Sequence, residues 1–298
     1  MGGDPGRSEE RGCSVIPNSF DYQRASNLKE VLKALTAGDG SVVIAGGHSL
    51  LPLMKLRMAH VSKVIDIAHL EELKGIEEHR RGARIGAGTT YRELAESEVL
   101  QERFPIIGEA TRQVADLQVR NRGTIGGNLS HADPASDMPA VMMALGAELK
   151  LRSRSRRRTV PAAEFFLGPF NTAKEPEELL IEIVLPGLPR GAGSAYESFR
   201  QPASGYAMAG AAAVVKISRR RIRHCVVALT GVADNVFLAD TDGLIDTKGE
   251  SENIATVAHE ALAGVDVIGD LHAPEPYRRQ LAKVAFGRAV TAAMARAG

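Results

Sequence analysis

Two glycine pairs stand far apart in this chain, each inside a run of small residues. The first run is Ile44-Ala45-Gly46-Gly47-His48-Ser49-Leu50-Leu51-Pro52. The second is Arg122-Gly123-Thr124-Ile125-Gly126-Gly127-Asn128-Leu129-Ser130-His131-Ala132-Asp133-Pro134-Ala135-Ser136-Asp137. A glycine has no Cβ, so it tolerates positive φ and lets main-chain N–H groups converge on an anion. Two such loops suggest one ligand with two phosphates, or a long dinucleotide, gripped from both sides. In the first run, Ser49 and the N–H groups of residues 46–50 suit a diphosphate. His48 reads more simply as a structural residue. In the second run, Thr124, Asn128, Ser130 and Ser136 offer short polar groups. Asp137 offers a carboxylate to ribose or adenine hydrogens. Asp133, beside Pro134, reads as a turn-maker.

Other motifs carry less. Ile85-Gly86-Ala87-Gly88-Thr89-Thr90-Tyr91 begins like a dinucleotide fingerprint, but Tyr91 stands where the third glycine belongs and no βαβ frame surrounds it. It reads as a strand end. Arg152-Ser153-Arg154-Ser155-Arg156-Arg157-Arg158 reads as a solvated hairpin or a partner-facing patch. Tyr206, in Phe199-Arg200-Gln201-Pro202-Ala203-Ser204-Gly205-Tyr206-Ala207, is either a core aromatic or a ring over a planar ligand. No nucleophile–base constellation and no metal-ligand spacing stands out.

Composition bounds the answer. The 298 residues are 44% hydrophobic and 24% charged, which is globular and long enough for two or three domains. A net charge of +1 argues against a nucleic-acid binder. The two cysteines, Cys13 and Cys225, cannot supply the thiolates of an iron–sulfur cluster. No signal peptide and no membrane-spanning run is visible, so a soluble, cytoplasmic protein is expected.

The elements that must position the glycine runs are legible in outline. Residues 1–14 read as a tail. A helix is expected over 26–38, with Ser26 as its cap and Leu28, Val31, Leu32 and Leu35 on one face. Strand 41–45 then delivers the first glycine run into a short helix at 50–58. Strands are expected at 61–67, 83–87, 147–151 and 179–185, and helices at 91–98, 104–114 and 137–144. The last of these should turn Met138, Val141, Met142 and Leu145 to the core. The cluster Pro186-Gly187-Leu188-Pro189-Arg190-Gly191 is the best boundary signal. Strands at 195–199, 209–217 and 224–230 and helices at 251–263 and 277–295 should follow. The reading is α+β in three parts after the tail: 15–70, 71–188 and 189–298.

Together the two glycine runs resemble those of the FAD-binding medium subunit of molybdenum hydroxylases, especially the aerobic carbon monoxide dehydrogenase and xanthine dehydrogenase types. The resemblance covers all but the tail. It implies a p-cresol-methylhydroxylase-type FAD-binding fold in two subdomains, plus a C-terminal α+β domain. It implies non-covalent FAD, its diphosphate held by Ala45, Gly46, Gly47, His48, Ser49 and Leu50 and by Thr124, Ile125, Gly126, Gly127 and Asn128. Asp137 would contact the adenosine, Leu180 would pack near the flavin ring, Tyr206 would cover the ring, and Arg200 would stand close by. No side chain of the chain would be catalytic, and no metal would bind to it. Molybdopterin and [2Fe-2S] would belong to a large and a small partner subunit, in a dimer of heterotrimers. The alternative is a stand-alone FAD-dependent oxidoreductase of the same fold.

Overall fold

The computed structural model describes residues 16–298, so the expected tail and Cys13 lie outside the described residues. The first part holds β1 (Asp21–Arg24), α1 (Leu28–Leu35), β2 (Ser41–Ile44), α2 (Leu50–Lys55) and β3 (Lys63–Asp66). Its strands form a parallel sheet in the order β1-β3-β2. Helix α1 buries Leu28, Val31 and Leu32 against Ile65, Ile67 and Leu70. Its cap is Asn27, not Ser26: the Asn27 side chain accepts from Glu30 N at 3.1 Å. The Ser26 N–H instead donates to the Glu30 carboxylate at 2.8 Å, the reciprocal bond of that turn.

The second part begins with β4 (Ile76–His79) and β5 (Gly82–Gly86). Helices α3 (Tyr91–Glu96), α4 (Glu98–Arg103), α5 (Pro105–Gln113), α6 (Leu117–Arg122), α7 (Ile125–His131) and α8 (Asp137–Ala144) follow. The chain then adds β6 (Glu148–Arg152), β7 (Arg157–Pro161), α9 (Ala162–Phe165), β8 (Phe166–Gly168), β9 (Asn171–Thr172) and β10 (Leu179–Leu185). An antiparallel sheet in the order β4-β5-β10-β6-β7 collects five of these strands, and β8 pairs separately with β9. The basic run closes the β6–β7 hairpin, as its charge pattern suggested.

The third part is an antiparallel meander of β11 (Ala192–Arg200), β12 (Ala207–Ser218), β13 (Arg221–Thr230) and β14 (Phe237–Ala239). Helix α10 (Ser251–Ala261) and the long α11 (Glu275–Arg296) share one core with it, including Phe286, Val290, Leu229 and Val215. Alanines at 209, 211 and 213 on β12 leave room for α11 to approach. Cys225 sits in this core, where burial pushes its thiol up to about 12.

Helix α8 departs from the sequence expectation. All eight of its residues are buried, Asp137 included, because it lies between the second part and strands β12 and β13. A helix apolar on every side is one enclosed on every side. The expected one-face pattern undercounted its neighbours. Its first residue is therefore a carboxylate that is almost wholly buried and borders solvent only where it lines the cleft between the first two parts.

Candidate functional site

A cleft of about 640 Å³ opens between the first two parts, with the Tyr206 turn of the third part at its edge. That volume suits a cofactor-sized ligand. Of the residues singled out from the sequence, Ala45, Gly46, Gly47, His48, Ser49, Leu50, Thr124, Gly126, Gly127, Asn128, Asp137, Leu180 and Tyr206 line it. Ile125 and Arg200 do not. Ile125 is fully buried in the core beneath α7.

The two glycine runs play different parts. The first is a true loop between β2 and α2, and Gly47 has φ +81°. The N–H groups of Gly46, Gly47, His48, Ser49 and Leu50 have no hydrogen-bond acceptor among the described residues. A row of unused donors on a cleft wall is what an anion requires. The second run is a helix rather than a loop. Thr124 caps α7 and accepts from Gly127 N at 3.2 Å. Ile125 N donates to Thr89 O at 3.0 Å, Gly126 N to Ala87 O at 2.8 Å, and Asn128 N to Thr124 O at 3.0 Å. These donors are spent inside the chain.

The glycines of the runs also divide by what surrounds them. A Cβ on Gly46 would fall on the Arg122 carbonyl and within 2.8 Å of Gly123 Cα. A Cβ on Gly126 would come within 2.6 Å of Ala87 O. These two let backbone pack on backbone, the first joining the two runs to each other. Gly127 is exposed, and its Cβ would meet only the Thr124 hydroxyl, at 2.9 Å. Its missing side chain leaves space in the cleft itself.

Polar groups on the cleft walls are mostly fastened. Asn128 Nδ2 donates to Ser136 Oγ at 2.6 Å, and Ser136 Oγ donates to Asn128 Oδ1 at 2.9 Å. Asp133 accepts from Ala135 N at 2.9 Å and closes a turn, as expected of it. Asp137 Oδ1 accepts from the buried Tyr196 hydroxyl and lies 2.9 Å from Arg200 Nη2. Burial pushes the Asp137 carboxyl above its ordinary value, with the Arg200 charge and the Tyr196 bond opposing. Its Oδ2 accepts from no other residue among the described residues. Tyr206 is 49% exposed and is not a core aromatic.

Several cleft residues escaped the sequence reading. Tyr91, dismissed as a failed glycine, lines the floor, with its buried hydroxyl unpartnered among the described residues. Ala87 and Gly88 line it beside Tyr91. Lys174, Pro176 and Glu178 form a further stretch of wall, next to Leu179 of the strand expected near the ring. Burial lowers the Lys174 ammonium below its usual range, with Glu178 opposing.

Glu178 is held by a residue of the basic run. Arg158 Nε donates to its Oε1 at 2.7 Å and Nη2 to its Oε2 at 2.6 Å. Arg158 Nη2 also donates to Ala173 O at 2.6 Å. Burial works against the Glu178 carboxylate, but the Arg158 bonds hold it below its ordinary value. The expectation of a solvated run therefore fails at Arg158. The hairpin register turns that side chain back toward the 173–178 segment. No sequence signal marks this pair, since Arg158 lies on β7 and Glu178 in the loop before β10, two strands away in the sheet.

A cleft with free loop donors on one wall, apolar strands β2 and β10 behind it, and a meander domain at its edge defines a class. Residues 18–188 match the family described as the FAD binding domain in molybdopterin dehydrogenase, and residues 194–293 match the CO dehydrogenase flavoprotein C-terminal domain. The chain belongs to this family and is an FAD-binding oxidoreductase subunit. It is 38% identical, over 95% of its length and 99% of the relative's, to the carbon monoxide dehydrogenase medium chain of Hydrogenophaga pseudoflava. It is 36% identical, over 94% of its length and 96% of the relative's, to the 6-hydroxypseudooxynicotine dehydrogenase complex subunit alpha of Paenarthrobacter nicotinovorans. A solved carbon monoxide dehydrogenase from Hydrogenophaga pseudoflava, lacking the Mo-pyranopterin moiety of its cofactor, superposes with a TM-score of 0.92 at 38% identity, covering 95% of this chain and all of that one. The fold is mixed helix and strand, an FAD-binding domain followed by a C-terminal domain.

The residues present fit that cofactor. The unused N–H groups of 46–50 suit its diphosphate, and the side-chain-free surface at Gly127 leaves room for close approach. The apolar wall of Val43, Ile44, Leu179 and Leu180 suits a flat ring. Among the described residues no helix is long and apolar enough to cross a membrane.

Proposed function

We propose that this chain passes electrons from a [2Fe-2S] partner subunit through FAD to an external acceptor. A large molybdopterin subunit would carry the substrate chemistry, in a cytoplasmic dimer of heterotrimers. The observation that carries the reading is the near end-to-end correspondence with medium chains, joined to a cleft whose free donors suit a dinucleotide. The sequence itself has only two cysteines, fewer than a [2Fe-2S] cluster takes. FAD, when bound, accepts electrons singly or in pairs and supplies the redox chemistry.

This chain's residues bind, orient and shield it. The loop N–H groups of 46–50 receive the diphosphate. Asp137 Oδ2 is available to a hydroxyl of the adenosine part. Leu179 and Leu180 would keep water from the ring, and Tyr206 would cover it.

The test is reconstitution. The purified chain alone should bind FAD, and carbon monoxide, a purine or an aldehyde should leave the flavin colour unchanged. Addition of the two partner chains should make that colour bleach with substrate. Bleaching in the isolated chain would instead support the stand-alone oxidoreductase.

A second outcome follows from the place of Tyr206. Tyr206→Ala should keep its FAD but shift the visible flavin spectrum and change the rate of reoxidation by oxygen or a quinone. An unchanged spectrum with an unchanged rate would remove Tyr206 from the cofactor site.

A further inference from the structure

Arg200 does not line the cleft, yet its side chain leads to the cleft's edge. It ends β11, and its guanidinium touches three separate elements. Nη2 lies 2.9 Å from Asp137 Oδ1 at the start of α8. Nε donates to Gln113 Oε1, at the end of α5, at 3.2 Å. Nη1 donates to the carbonyl of Gly205, the residue before Tyr206.

The segment from Gln201 to Tyr206 is a small closed turn. Gly205 N donates to Gln201 O at 2.8 Å, and Gln201 N to Tyr206 O at 2.9 Å. Tyr206 N donates to Ser204 Oγ at 3.3 Å. Gly205 has φ +74°, which only a glycine adopts without strain. Apart from Arg200, the turn's neighbouring tie to the body is the long bond from Ala207 N to Ala135 O, 3.4 Å. The Tyr206 hydroxyl has no partner among the described residues.

We infer that Arg200 is a positioning residue: it fastens the Tyr206 turn to the buried Asp137 and so sets how an electron acceptor reaches the FAD. The inference rests on the reading that Tyr206 covers the cofactor in this cleft. The physical basis is the shape of the guanidinium. Its donors lie in one rigid plane and can serve a carboxylate, an amide and a carbonyl at once. An ammonium on a flexible stem can keep the charge beside Asp137 but cannot hold that three-way geometry.

The experiment compares wild type, Arg200→Lys, Tyr206→Ala and the double variant, each as the full FAD-loaded chain. The flavin is reduced with dithionite under anaerobic conditions and then mixed with oxygen or a quinone. Arg200→Lys should melt near the wild-type temperature and retain FAD. Its reoxidation rate should change about fivefold or more, in the same direction as that of Tyr206→Ala. The double variant should change no further, because both substitutions undo one arrangement. A wild-type rate in Arg200→Lys beside an altered rate in Tyr206→Ala overturns the role of Arg200 alone. Additive changes in the double variant also overturn it. A wild-type rate in Tyr206→Ala overturns the covering role of Tyr206, and this inference with it.

Discussion

Gly127→Val should fold and purify without its flavin, while Gly46→Val should lose stability as well. Gly46 is the first glycine of its pair and Gly127 the second of its own, and their surroundings differ. At Gly127 a side chain projects into the cleft, with only the Thr124 hydroxyl close by. Valine is tolerated in a helix better than glycine is, so α7 should persist. The added methyl groups would fill space that a bound dinucleotide needs. At Gly46 a side chain would collide with the Arg122 backbone, which cannot move without parting the two runs. Overpacking of that kind costs about 1–3 kcal/mol, and more where backbone must shift. Thermal melting and the absorbance of bound flavin read both effects. A full complement of FAD in Gly127→Val would show that the cofactor lies elsewhere. A wild-type melting temperature in Gly46→Val would show that the runs are less tightly joined than their geometry requires.

Arg158→Met should destabilise the protein by about 3–5 kcal/mol at neutral pH, the usual cost of stranding one half of a buried ion pair. Glu178 has 1% of its side chain exposed, and Arg158 22%. Methionine keeps the apolar stem and removes both bonds to the carboxylate. The pH dependence follows from the direction of the Glu178 shift. Despite its burial, the Arg158 bonds hold that carboxyl below its unfolded value. Such a group contributes stability above its unfolded pKa and loses it as pH falls through the folded one. Without Arg158, the bond from Glu175 N and the charge of Arg156 still oppose burial, but the carboxyl rises from its paired value. The deficit of the variant should therefore be full at neutral pH and shrink as the medium becomes acidic, where Glu178 is neutral. Adding Glu178→Gln should recover part of the loss. Denaturant unfolding at several pH values measures this, and a deficit that ignored pH would refute the pairing. Because Glu178 and Lys174 line the cleft, FAD affinity should fall with it.

Much of the architecture was legible because it rests on local rules. The periodicity of Leu28, Val31 and Leu32 marks α1, and the short apolar run Leu179–Leu185 marks a strand. The two glycine runs carried the resemblance to the family that residues 18–188 and 194–293 match. Composition by itself argued against a nucleic-acid binder and a self-contained iron–sulfur protein.

What the sequence could not determine depends on which distant segments meet. The glycine run at 126–127 forms a helix because Ala87 and Thr89 accept its first N–H groups, and those acceptors lie in the distant loop between β5 and α3. Asp137 resembled a ligand-facing carboxylate. Its place in the cleft fits that reading, but its first oxygen is also committed to Tyr196 and Arg200, partners from β11 that only the packing of α8 against the C-terminal sheet brings near. Arg158 looked solvated until the hairpin register turned it onto Glu178. Tyr91 looked like a misplaced glycine until the fold put it on the cleft floor. Backbone propensity and apolar period act over a few residues, and sequence carries them directly. The state of a buried charge depends on its neighbours in three dimensions, and those are decided only when the parts pack together.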